Sequence, residues 1–253
     1  MKITFLGTGT SCGVPVIGCS CPVCSSDDPK DKRLRCSIMV ETRSTRILVD
    51  VGPDFRQQIM PVKFRRIDGI LITHSHYDHV GGMDDVRPYC RFGQINVYAD
   101  QLARQGMMQM LPYCFAEHRY PGVPKIELSE ISAGMAFRIG DIDVLPVEVM
   151  HGKLPILGYR FGKFAYITDM KTMADDQVEL LNGVEVLAVN ALRFEREHHS
   201  HQLVAEAVEL ARRVGARRTL LTHVCHDVGK HSEANKLLPR DVNLAYDGQV
   251  LRI

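Results

Sequence analysis

The 253-residue sequence has no hydrophobic run near the ~20 apolar residues that a membrane-crossing helix needs. A secretory signal is not expected either. The opening stretch MKITFLGTGTSCGVP carries one lysine and a few apolar residues before turning polar and glycine-rich, whereas a signal needs a longer apolar region ending in a small-residue cleavage site. The cytoplasm is the expected compartment. Charge of one sign is missing too: 31 basic residues stand against 30 acidic ones, a formal net charge of +1. No overall positive field draws in long nucleic acid and no acidic tail repels it, so a dedicated nucleic-acid binder is disfavoured and only a local patch stays open. Internal repeats, low-complexity tracts and linkers are absent as well. Residues 1–253 therefore read as one domain.

What is present is ordinary globular composition, 45% apolar and 24% charged, with length enough for a full core. Short β-branched or apolar runs recur at residues 3–6, 37–41, 46–51, 67–73, 95–98, 142–149, 164–168, 184–189, 219–222 and 250–253. Each is bounded by Gly, Pro, Asp or polar residues, which reads as a strand. Helical periodicity is clearest over 202–214, where Val204, Ala207, Val208 and Ala211 share a face, and then over 100–111 and 173–181. Strands in hairpin-like succession with helices interspersed predict an α+β fold, an αββα sandwich of two mixed sheets flanked by helices. Residues 104–125, rich in Met, Pro and aromatics, read as an irregular segment: a lid, or a loop packed on its own body.

The chemistry concentrates in Thr73-His74-Ser75-His76-Tyr77-Asp78-His79, directly after an apolar run. Metal ions need imidazole or carboxylate donors converging at about 2.0–2.2 Å. In an extended segment His74 and His76 share a face, and a tight turn can swing Asp78 and His79 toward a second point nearby. His151, Asp169 and His223 each follow an apolar run, where the rim of a sheet gathers binding groups. Together these are five His and two Asp, the six or seven ligands that two metals with open positions require. Eight cysteines in a reducing compartment need another explanation than disulfides. The crowding of Cys19, Cys21 and Cys24 points to a metal. Cys12, Cys36, Cys90, Cys114 and Cys225 are scattered and read as small buried thiols.

The order HxHxDH, then His151, Asp169 and His223, resembles the metallo-β-lactamase superfamily of dinuclear hydrolases. The stretch LGTGTSCGVP followed by GCSCPVC, and Thr222-His223-Val224-Cys225-His226-Asp227 near the C-terminus, resemble its PhnP-like phosphodiesterases, which act on cyclic ribosyl phosphates. The likeness runs nearly end to end. It implies that His74, His76 and His151 hold one metal and Asp78, His79 and His223 the other, with Asp169 bridging. Zn or Mn both suit that donor set. Asp78 and Asp169 thereby belong to the catalytic machinery. The family's general acid precedes a helix, and His201 best matches its place, with His199 the runner-up and His198 read as a polar helix flank. A homodimer is a further implication of the resemblance.

Cys19, Cys21 and Cys24 supply three thiolates for one structural Zn, with His226 as the first candidate for the fourth ligand and Cys225 or Cys36 as alternatives. Gly7, Gly9 and Gly13 read as turning points of the backbone, since no GKS/T follows to make a P-loop. The function expected is metal-dependent hydrolysis of a small cyclic or nucleotide-like phosphodiester, with no membrane or stable nucleic-acid partner. A tRNA 3′-processing nuclease is the alternative, weakened by the short, weakly basic stretch where such enzymes carry a tRNA-gripping arm. A non-catalytic metal-binding protein on the same fold is the other.

Overall fold

A computed structural model describes residues 1–118 and 120–253. Two seven-stranded sheets face each other. The first contains β1 (Lys2–Gly7), β2 (Ser37–Glu41), β3 (Arg46–Val49), β4 (Gly69–Leu71), β5 (Ile95–Ala99), β6 (Ile126–Glu130) and β14 (Val250–Arg252), in the order β14-β1-β2-β3-β4-β5-β6. The second contains β7 (Phe137–Ile139), β8 (Ile142–His151), β9 (Leu154–Phe161), β10 (Phe164–Ile167), β11 (Val186–Asn190), β12 (Arg218–Thr222) and β13 (Val242–Leu244), in the order β13-β12-β11-β10-β9-β8-β7. Each sheet is antiparallel at one end and parallel at the other: β3 to β6 run parallel, as do β10 to β13.

Alternation within single strands builds the layers. In β3, Ile47 and Val49 join the core between the sheets, while Leu48 points to the opposite face. There it meets α1 (Phe55–Ile59), α2 (Tyr77–Val80), α3 (Gln101–Met110) and α4 (Pro112–Phe115). In β11, Leu187 and Val189 turn outward to α5 (Asp175–Glu179), α6 (Val204–Val214) and α7 (His231–Leu237), while Ala188 faces the other sheet. With both faces covered, the strands can be apolar throughout. The layer order is the αββα sandwich expected from the sequence.

Helix α6 shows why the periodicity was readable. Val204, Ala207, Leu210, Ala211 and Val214 form its buried stripe, and Gly215 ends it in the left-handed conformation at φ 72°. Four strands escape the sequence reading. In β9, Pro155 and Gly158 interrupt the pattern; β6, β7 and β13 are short or half polar. The segment read as irregular holds α3 and α4, whose Met107 and Cys114 are buried, and Arg119 within it lies outside the described residues. Gly106 sits inside α3 because a Cβ there would meet Ser75 Oγ at 2.3 Å, so the helix lies close against the HxHxDH segment. Cys36, Cys114 and Cys225 are buried as expected, but Cys12 is exposed and Cys90 half-buried. Among the described residues no helix is long and apolar enough to cross a membrane.

Candidate metal centre

The ligand-type residues gather where strands end. Past β4 the chain extends through His74 to His76, which caps the N-terminus of α2, and α2 turns Asp78 and His79 back toward it. His151 is the last residue of β8, Asp169 lies just beyond β10, and His223 follows β12 directly. Asp169 and His223 adopt positive φ, 57° and 52°, and so does Asp50 after β3 at 62°. Left-handed backbone at non-glycine residues is costly and collects at functional sites. Asn190 holds one of these corners: its amide accepts from Met170 N and donates to Met170 O, both at 2.8 Å, fixing the residue next to Asp169.

Donor atoms of His74, His76 and His151 lie within 4.8 Å of one another, as do those of Asp78, His79, Asp169 and His223. The Asp169 carboxylate is divided between neighbours, with Oδ2 3.2 Å from His79 Nε2 and Oδ1 3.0 Å from His223 Nε2. It also forms a third such group with His151 and His201. His74 Nε2, His79 Nε2, His201 Nδ1 and both ring nitrogens of His223 are buried without a hydrogen bond of good geometry. Orphaned polar atoms are expensive in an interior, and this many aimed at one place fit metal ions. The residues expected from the sequence to hold two metals are the ones brought together.

Residues behind these ligands fix which nitrogen faces the centre. The Ser200 carbonyl accepts from His151 Nδ1 at 3.0 Å, leaving Nε2 as the donor atom. Asp50 Oδ2 accepts from His79 Nδ1 at 2.7 Å, and Asp50 in turn is held by the backbone N–H and hydroxyl of Thr73. Such outer partners orient the imidazole and raise its basicity. Sequence reasoning missed Asp50, although it too is an acid one residue past an apolar run.

Charge is finely opposed here. Burial pulls the His79 imidazole down most, but Asp169, Asp50 and Asp78 together outweigh it and hold it well above the usual value. Burial works to raise Asp169, yet His223 and His79 hold its carboxyl well below the ordinary range. The acidic side of the centre is thus built to neutralise a cation. Burial pushes the His74 imidazole well below its usual value.

The segment before α6 brings His201 to this centre. Its buried ring lies 4.8 Å from that of His151 and 4.7 Å from that of His223, with Nδ1 3.8 Å from Asp169 Oδ1. His199 is exposed, and its ring stacks on His198 at 4.6 Å. His198, read from the sequence as a polar flank of the helix, lies in the segment before α6 and is half-buried against His201.

Elsewhere, Cys19, Cys21 and Cys24 place their sulfurs 3.3, 3.4 and 3.4 Å from His226 Nδ1. Those separations suit the edges of a closed tetrahedron, such as Zn–S bonds of about 2.3 Å would require. Of the alternative fourth ligands, Cys36 lies against Thr222 Oγ1 at 3.3 Å and Cys225 is outside the group. Val16 N donates to Cys24 Sγ, and the backbone N–H of Cys24 is the largest influence bringing the Cys21 thiol down to about 6. Of the three glycines expected to turn the backbone, Gly13 does so at φ 65°, whereas Gly7 ends β1 and is required by a close approach: a Cβ there would lie 2.0 Å from the Arg35 carbonyl oxygen.

Residues 45–224 match the family described as "Beta-lactamase superfamily domain". The chain belongs to the metallo-β-lactamase superfamily, a class of metal-binding hydrolases. Within it the chain stands close to the PhnP family, since it shares 38% identity with a structure described as a new diphosphatase from that family, at a TM-score of 0.92 over 99% of this chain and 96% of the other. A protein of Porphyromonas gingivalis named octanoyltransferase is 41% identical over 98% of this chain, which spans only 51% of that protein's length. Ribonuclease Z of Methanopyrus kandleri is 24% identical over 89% of this chain and 94% of its own.

Proposed function

We propose that the protein is a metal-dependent phosphodiester hydrolase acting on a small cyclic or nucleotide-like phosphate. The observation that carries this reading is the position of His201: buried beside the shared Asp169 and packed against His151 and His223. A hydrolase that expels a poor alkoxide needs such a proton donor outside the ligand set. His74, His76 and His151 would hold one ion and Asp78, His79 and His223 the other, Asp169 lying between. Two Zn or Mn ions held there would acidify a bound water and neutralise phosphoryl charge.

The chain's own residues do the rest. Asp50 and Ser200 lock the imidazoles of His79 and His151 in the tautomer that leaves Nε2 toward the centre. Burial, and after it His223, brings His201 down to about 3, so the resting ring is neutral. An anionic phosphate beside it favours the protonated ring, which then donates to the leaving oxygen. Cys19, Cys21, Cys24 and His226 would hold one structural Zn, in keeping with a reducing cytoplasm. A small substrate, without a membrane or a stable nucleic-acid partner, fits the balanced charge; a homodimer is part of the same proposal.

The kinship with a diphosphatase favours a second substrate form, in which the scissile bond joins two phosphates. Turnover of bis(p-nitrophenyl) phosphate by the Mn- or Zn-loaded protein, abolished by chelator, tests the reading. Inertness of a fully metallated sample toward this ester and toward diphosphates refutes it.

A further inference from the structure

His198 is an imidazole that the chemistry above does not use, yet its proton is placed. The Ser200 backbone N–H donates to His198 Nδ1 at 3.3 Å, and the Ser200 hydroxyl lies 3.2 Å from the same atom. A nitrogen that accepts an amide N–H carries no proton, so the neutral ring bears its hydrogen on Nε2. Among the described residues Nε2 has no partner. Burial, then His199 and Arg193, hold the ring below its usual value.

The segment leading to His198 is braced around one guanidinium. Arg193 Nε donates to the carbonyls of Glu195 and Arg196 at 3.0 and 2.9 Å, and Nη2 to that of Glu197 at 3.4 Å. Arg196, at φ 63°, pairs with Asp227, which also faces Arg193 at 3.7 Å. The His198 ring then packs against both His199 and His201, at 4.6 and 4.7 Å. A half-buried donor held this firmly, with its polar hydrogen unspent, is preorganised for a ligand.

We propose that His198 is a substrate-contacting residue whose Nε2–H binds an anionic oxygen on the leaving-group side of the scissile bond, making the site prefer substrates with a second phosphate there. The inference rests on the reading of the site as a phosphoester hydrolase with His201 as its acid. His201 donates to the oxygen that departs, and among the described residues the His198 ring packs on those of His199 and His201, with His201 between it and the His223 ring. In a diphosphate the departing oxygen belongs to the second phosphate, so the non-bridging oxygens of that group come next to His201, within the sphere of His198. In a simple phosphodiester that position holds only carbon.

The test compares Mn-loaded wild type, His198→Ala and His198→Gln on ADP-ribose and on the p-nitrophenyl ester of thymidine monophosphate. A hydrogen bond to a charged oxygen predicts that His198→Ala loses about tenfold to a hundredfold in kcat/KM for ADP-ribose. The same variant should stay within about twofold on the monophosphate ester. His198→Gln, with an N–H at similar reach, should recover part of the loss, and metal content and melting temperature should match wild type in both. Equal loss on both substrates assigns His198 a merely structural role and overturns the proposal, as does no loss on either. Wild type that cleaves only the monophosphate ester removes the preference itself. Wild type inert toward both substrates overturns the hydrolase reading and this inference with it, an outcome distinct from the failure of the variants alone.

Discussion

Asp50 accepts the Nδ1 hydrogen of His79 at 2.7 Å, and both residues are fully buried. Asp50 is therefore a positioning residue for a ligand: it fixes the tautomer that turns His79 Nε2 toward Asp78 and Asp169. Asp50→Asn keeps the size and both Thr73 contacts within reach but removes the charge that supports the ring. Loss of such an outer partner typically costs 10–100-fold in metal affinity or activity. Competition with a metal-binding dye should show that drop in a variant that melts cooperatively. Unchanged affinity would mean that Thr73 and burial alone orient His79.

His201→Ala should retain both active-site metals and lose activity unevenly. A general acid contributes about 10²–10⁴-fold where the leaving oxygen needs a proton. An alkyl phosphodiester should show that loss, while p-nitrophenolate, which departs without protonation, should show much less. Measuring kcat on the two substrates decides it. Equal losses would assign the ring a packing role, since it lies against His151, His198 and His223.

Much of this site was legible because its residues obey one local rule. Asp169 and His223 each stand one residue past an apolar run, and the HxHxDH spacing is dense enough to declare itself. Asp50 follows the same rule and was hidden because the run 46–51 reads through it as one strand; β3 in fact stops at Val49 and the chain turns at the left-handed Asp50. The role of His198 depends on the Ser200 N–H folding back two residues, which no periodicity records. β9 lay concealed by Pro155 and Gly158; α3 was legible over 100–111, but the purpose of its Gly106, a close approach to Ser75, is visible only in three dimensions. Local pattern exposes what the chain places at an element's end; it conceals what depends on a distant segment's proximity.

Asp247 predicts a pH dependence of stability. It accepts from Thr8 Oγ1 at 2.7 Å and from Leu34 N at 2.6 Å, and burial raises its carboxyl from the usual 3.8 to about 6. Because the folded value lies above the unfolded one, the native state binds the proton more tightly between these values. Its stabilising contribution is present below pH ~4 and is lost as pH rises through ~6, at most about 3 kcal/mol in all. Asp247→Asn should remove this slope, so the melting temperature of wild type should gain on that of the variant as pH falls from 7 to 4.5. Parallel profiles across that window would show that the carboxyl titrates alike in both states.

The Cys19, Cys21, Cys24 and His226 cluster ties the N-terminal loop to the segment carrying His223, three residues before His226. If it holds a structural Zn, wild type loaded with excess zinc should contain three ions per chain and Cys21→Ser two. Cys21 is the informative position because its thiol, brought down to about 6, is already a thiolate near neutral pH, whereas burial pushes Cys24 up to about 11. Serine keeps the size but gives up the soft donor that zinc prefers. Metal binding at such a site is folding free energy, so the damage should appear first in stability. A loss of about 3 kcal/mol would lower the melting temperature by roughly 6–12 °C in a chain of this length. Turnover per remaining active-site metal should persist below that temperature, because among the described residues this cluster forms a ligand group separate from those of the His and Asp centre. Two ions per wild-type chain, or an unchanged melt in Cys21→Ser, would remove the structural metal from the account.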